Sequence, residues 1–111
     1  MTVKLVLLKS GEDVVADVAE MCVGEAKAVV GYFLKQPCRV RLFATEENES
    51  SIKISPWVPL SKDDTIPVPT DWVVSIVDPI DQVLTLYQNS LKKYGKPEGP
   101  GAEQPEFTDA D

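Results

Sequence analysis

The stretch Leu8-Lys9-Ser10-Gly11-Glu12-Asp13-Val14-Val15-Ala16-Asp17-Val18 restricts the fold more than any other part of this chain. An apolar run reaches a Ser-Gly turn, and a second, alternating run follows at once. Glycine accepts the positive φ of a tight hairpin turn, and strand side chains two apart share one face. The pattern predicts a β-hairpin that opens directly into a sheet. On residues 3–9, Val3, Leu5 and Leu7 share one face and Val6 and Leu8 the other, so this strand is expected either to be covered on both sides or to sit at a sheet crossing. On residues 12–21, Val14, Ala16 and Val18 oppose Val15, Asp17 and Ala19. Ala16 is small among larger neighbours, as expected where a strand bends or another backbone comes close.

Further strands are expected at 28–34, with Gly31 at a bulge, and at 38–44, separated by a break at Lys35-Gln36-Pro37. A polar loop at 46–51, a strand at 52–58, a loop at 59–64 and an extended piece at 65–70 follow. Pro67 and Pro69 stand two apart, so one rim of that piece has no donors and cannot pair continuously. The last strand is expected at 71–77, with Trp72, Val74 and Ile76 on one face.

Asp78-Pro79 then reads as the start of a helix, with Asp78 as N-cap and Asp81 at the positive end of the dipole. Ile80, Val83, Leu84, Tyr87, Leu91 and Tyr94 recur at helical spacing, and Gly95 stops the run. Residues 95–111 read as a disordered acidic tail beyond a folded unit at 1–94.

At 111 residues the chain is expected to be one domain with a modest core. Its formal net charge of -7 argues against a general polyanion binder, because phosphate contacts need Lys and Arg in number. The charge is uneven. The tail holds one Lys and five acids, leaving ten basic and thirteen acidic residues in 1–94. The body is therefore only mildly acidic and has room for a local basic patch.

Cys22 and Cys38 are the only cysteines, and no export signal or membrane-length apolar run is read, so two free thiols in a reduced, cytoplasmic protein are expected, with a disulfide as the alternative. Without His or a second Cys pair, a zinc site lacks ligands and a nucleophilic Cys lacks its usual base. Asp63-Asp64 are adjacent in a loop, and Asp78 and Asp81 are accounted for by capping, so no paired-carboxylate chemistry is indicated. No catalytic set, metal site or cofactor is expected, and the reading is of a non-enzymatic protein. Trp57 and Trp72 are either base-stacking groups or, as is commoner, large groups buried at a subunit interface or in the core.

The opening stretch resembles the first half of the Sm/LSm signature, which runs Leu, two residues, Gly, two residues, Val, one residue, Gly, one residue, and an apolar position. It falls here on Leu8, Gly11, Val14, Ala16 and Val18, with Ala in place of the second Gly. Gly31-Tyr32-Phe33-Leu34 to Pro37, Pro56-Trp57-Val58-Pro59-Leu60-Ser61, Ile66-Pro67-Val68-Pro69 and Trp72-Val73-Val74 look like small Sm-like proteins from marine phages of cyanobacteria. The resemblance covers most of residues 3–80. It implies a mainly β fold: a small, strongly bent, five-stranded antiparallel Sm-like barrel, here with a C-terminal helix. It also implies a homo-oligomeric ring, with 52–58 and 71–77 as the pairing edges, and a link to single-stranded RNA in the cytoplasm of an infected host.

The chain departs from that family where uridine is bound. The register of the family's Phe-Asp falls on Met21-Cys22, that of its Met-Asn on Glu25-Ala26, and that of its Arg-Gly on Pro69-Thr70. The remaining candidates for nucleic-acid contact are Lys35, Arg39 and Arg41, the last two on a strand face with Phe43. The alternatives are a solvated strand face paired with Glu46 or Glu47, and a ring that holds a protein partner without nucleic acid.

Overall fold

The computed structural model describes residues 2–44 and 50–94, with side chains described as far as Lys92. The tail at 95–111 and most of the expected polar loop at 46–51 lie outside the described residues. The chain order is β1 (Val3–Leu8), β2 (Asp13–Val23), β3 (Ala28–Ala44), β4 (Ser50–Pro56), β5 (Thr65–Pro69), a 3-10 turn (Thr70–Trp72), β6 (Val73–Val77) and α1 (Asp81–Tyr94). Every pairing is antiparallel. The sheet runs β4-β3-β2-β1-β6, with β5 added on β3.

The opening hairpin forms as its sequence predicts. Gly11 takes φ +90 and its N–H donates to the Leu8 carbonyl at 2.9 Å. Both faces of β1 are used. Val6 and Leu8 join Val14, Ala16, Leu34 and Val68 in one buried cluster. Val3 and Leu5 pack on a second, made of Val15, Cys38, Val83 and Tyr87. The sheet therefore separates two apolar layers, and α1 closes the second.

Several expectations need correction. Six strands form instead of five, and no ladder joins β6 to β4 or β5 among the described residues, so the sheet is not closed. Lys35-Gln36-Pro37 does not end a strand. β3 runs through it, with Val15 opposite Cys38 and Asp17 opposite Lys35, so Ala16 faces both Gln36 and Pro37. Gln36 takes φ +51, and the extra residue bends the strand. The half before the bend pairs with β5, and the half after it pairs with β4. Ala16 is fully buried at this bend, where its small side chain was expected.

Gly31 is not itself the bulged residue, since the register skips Val30. Its role is close approach: a Cβ there would lie 2.7 Å from the Val68 carbonyl oxygen on β5. Because Pro67 and Pro69 have no N–H, β5 has a donor-poor rim. Among the described residues the strand pairs with β3 alone.

The last strand starts later than expected, because Asp71 and Trp72 lie in the 3-10 turn. Leu8 pairs with Val73 and Leu7 with Ser75, so Val74 is an extra residue, 65% exposed, and does not share the buried face of Ile76. The helix starts at Asp81 rather than Asp78-Pro79. The Asp78 carboxylate is engaged by Lys4 on β1, and Ile80, expected in the apolar stripe, is exposed. Among the described helix residues, Val83, Tyr87 and Ser90 are the buried positions, with Leu91 beside them.

Candidate nucleic-acid interface

The bend in β3 decides where the candidate basic residues point. Side chains alternate along a strand, and one inserted residue reverses the alternation. Before the bend Leu34 faces the first apolar cluster, so Lys35 faces the opposite side. After the bend Cys38 and Val40 face the helix-covered cluster, so Arg39, Arg41 and Phe43 face the first side. The structure thus brings Arg39 and Arg41 together, as expected, and leaves Lys35 on the other face and on the other arm of the strand.

Register then adds a residue that sequence reasoning missed. Arg41 is directly opposite Lys53 on β4, and Phe43 is opposite Ser51. The Lys53 ammonium lies 5.1 Å from the centroid of the Phe43 ring, and the Arg41 guanidinium carbon lies 5.8 Å from it. Both distances fall within reach of cation–π attraction, about 0.5–1 kcal/mol at an exposed site. Phe43 is 39% exposed and Lys53 is exposed. Nothing in the spacing of residues 41, 43 and 53 shows this cluster. The strand pairing creates it.

Arg39 is held differently. Its Nε lies 3.7 Å from Glu12 Oε2, an ion pair beyond hydrogen-bond range, and that nitrogen is buried with no hydrogen-bond partner among the described residues. The same Oε2 accepts a hydrogen bond from Trp57 Nε1 at 3.2 Å, and Oε1 accepts one from Ser10 Oγ at 2.8 Å. Glu12 therefore ties the first hairpin turn to β3 and to the segment after β4. Trp57 packs on the first apolar cluster, which fits a buried anchor, whereas Trp72 is 44% exposed.

The hairpin between β2 and β3 turns at Gly24, with φ +77, and Lys27, with φ +52. Glu25 and Ala26 at this turn are exposed, as is Cys22. An acidic and an apolar side chain thus stand where the Sm resemblance would place residues that bind uridine.

Cys38 is buried opposite Val15 on β2, and Cys22 lies seven residues farther along β2. At ~3.3 Å rise per residue the two are on the order of 20 Å apart, too far for a disulfide. Burial pushes the Cys38 thiol up to about 11, which makes it a poor nucleophile near neutral pH. Among the described residues no three His, Cys, Asp or Glu side chains gather as a metal site. No described helix is long and apolar enough to cross a membrane.

No protein-family model matches this chain, and no curated protein matches it either.

Proposed function

We propose that this chain is a subunit of a homo-oligomeric Sm-like ring that acts without catalysis and associates with single-stranded RNA. The observation that carries the reading is the sheet order. β4 and β6 are its terminal strands, and they contain most of the two segments that the Sm resemblance makes ring edges. An open strand edge invites pairing with another chain, and closing a ring pairs β4 of one subunit with β6 of the next. The exposed Val74 and Val77 on β6 would be covered in that contact.

The RNA part of the reading is supported by charge placement. Arg39, Arg41 and Lys53 share one face of β3 and β4, and neither strand carries an acid, in a chain of net charge -7. Copies around a ring repeat that surface. The second reading, a ring that holds a protein partner, is favoured by the overall negative charge and by Glu25 and Ala26 at the hairpin.

Light scattering on a sizing column and native mass spectrometry measure the assembly. Fluorescence anisotropy with labelled oligo-U and oligo-A at low and moderate salt measures RNA binding. A monomer at micromolar concentration rules out the ring. A ring that binds neither oligonucleotide rules out the RNA reading and leaves the protein-partner ring.

A further inference from the structure

We propose that Phe43 is a stacking platform for a base of single-stranded RNA, with Arg41 and Lys53 as the groups that meet the phosphates on either side of that base. The proposal deepens the RNA reading above and rests on it. Three observations carry it. Phe43 is 39% exposed although it is a large apolar residue on a strand, where burial is the usual use of Phe. Two cations from two different strands stand over or beside it, at 5.1 and 5.8 Å from its centroid. Among the described residues, which do not include the expected partners Glu46 and Glu47, neither cation is in an ion pair, while Arg39, two residues before Arg41 on the same face, is paired with Glu12.

An aromatic face beside mobile cations is the combination used for single strands. Every base offers a π face, so stacking tolerates sequence, and Lys and Arg follow the backbone charge. The platform is distinct from a uridine pocket, for which the Sm resemblance calls for an Asp and an Asn where this hairpin has Cys22 and Ala26. It therefore predicts binding with little preference between U and A. The arrangement also accounts for like charges placed directly opposite each other. Arg41 and Lys53 face one another across the ladder, a pairing that costs stability on its own. A polyanion lying over them removes that cost.

The test is anisotropy with labelled oligo-U and oligo-A on the full-length protein, its assembly checked by light scattering. Wild type is compared with Phe43→Leu, which keeps an apolar side chain but removes the ring, and with Arg41→Gln plus Lys53→Gln. Circular dichroism melting confirms that each variant is folded. Losing one stacked base is expected to weaken binding about tenfold for Phe43→Leu with the salt dependence unchanged. The double variant is expected to weaken binding and to flatten the salt dependence by about two phosphate contacts per site. If wild type binds and Phe43→Leu binds equally well, the platform is wrong and the RNA reading stands. If the oligomeric wild type binds neither oligonucleotide, both fall.

Discussion

The Tyr87 hydroxyl donates a hydrogen bond to the Lys35 carbonyl at 3.1 Å, joining the middle of α1 to the bend of β3 across 52 residues of sequence. A bulge frees backbone groups from the ladder, and buried ones need partners. Three such groups are met here. Tyr87 takes the Lys35 carbonyl, Trp57 N donates to the Pro37 carbonyl at 3.0 Å, and Gln36 N donates to the Asp64 carbonyl. The bend is thus held from the helix and from the segment between β4 and β5.

Tyr87→Phe removes only the hydroxyl and leaves a carbonyl of the bend without that donor. It is expected to cost about 1–2 kcal/mol in urea denaturation. Tyr87→Ala also empties a fully buried ring site and is expected to cost about 3–5 kcal/mol. Equal losses for the two variants would show that the hydroxyl contributes nothing and that packing alone holds the helix.

The faces of β1 and β2 were legible in the sequence because regular alternation maps directly onto a ladder, and their buried residues are those the pattern named. The basic cluster was legible only in part. Lys35, Arg39 and Arg41 are all odd-numbered, so uninterrupted alternation would put them on one face. One extra residue at Gln36 reverses that parity and sends Lys35 away. Gln is not a residue type that signals positive φ, and Pro37 read as a break. Lys53 was hidden for another reason: its place beside Phe43 depends on pairing between strands, which no local pattern encodes. The helix start was misread because Asp78 has the chemistry of a cap, yet its carboxylate serves Lys4.

Gly31→Ala tests the junction of β5 with β3. The new Cβ would sit 2.7 Å from the Val68 carbonyl oxygen, which is backbone and cannot rotate aside. Overpacking of this kind is expected to cost about 1–3 kcal/mol. Faster amide exchange at Ile66 and Val68, with β1 amides less affected, would locate the damage in β5. A melting temperature equal to wild type would contradict the close approach.

Stability is expected to fall at alkaline pH. The folded chain holds the Cys38 proton up to about 11, while the unfolded thiol releases it near its ordinary 9.0. The folded pKa is the higher one, so this contribution is complete below the unfolded value and is lost as pH rises through the folded value. Between those limits the slope is about 1.4 kcal/mol per pH unit. Burial also raises the Tyr87 hydroxyl, which adds loss in the same direction above its ordinary 10.0. Denaturation midpoints at stepped pH should be flat below 9 and fall above it, and Cys38→Ala should delay the onset. An unchanged onset in Cys38→Ala would assign the effect to other groups.

Val74→Asp tests the ring edge without touching the core. Val74 is the bulged residue of β6 and is 65% exposed in the single chain, so a carboxylate there meets water in the monomer. In an assembled ring it would have to be desolvated, at a cost of several kcal/mol per subunit. The expected result is a folded monomer on light scattering, with the circular dichroism spectrum of wild type. An intact oligomer would place the subunit contact elsewhere.

Glu12→Gln separates the structural and electrostatic roles of the carboxylate beside Arg39. The amide oxygen of Gln can still accept from Trp57 Nε1, so the link between the hairpin turn and the segment after β4 is expected to survive. The charge that faces Arg39 at 3.7 Å is lost. Arg39 is 42% exposed along its side chain, so the pair contributes little to stability, about 1 kcal/mol or less. The effect on RNA should be larger than the effect on folding. With Arg39 unopposed, the face that already carries Arg41 and Lys53 gains one net positive charge. Oligonucleotide affinity is expected to rise a few-fold, and the salt dependence to steepen by about one phosphate contact per subunit. Anisotropy titrations at several salt concentrations measure both quantities. Unchanged affinity and slope in a folded, assembled variant would mean that the strand passes Phe43 without reaching Arg39.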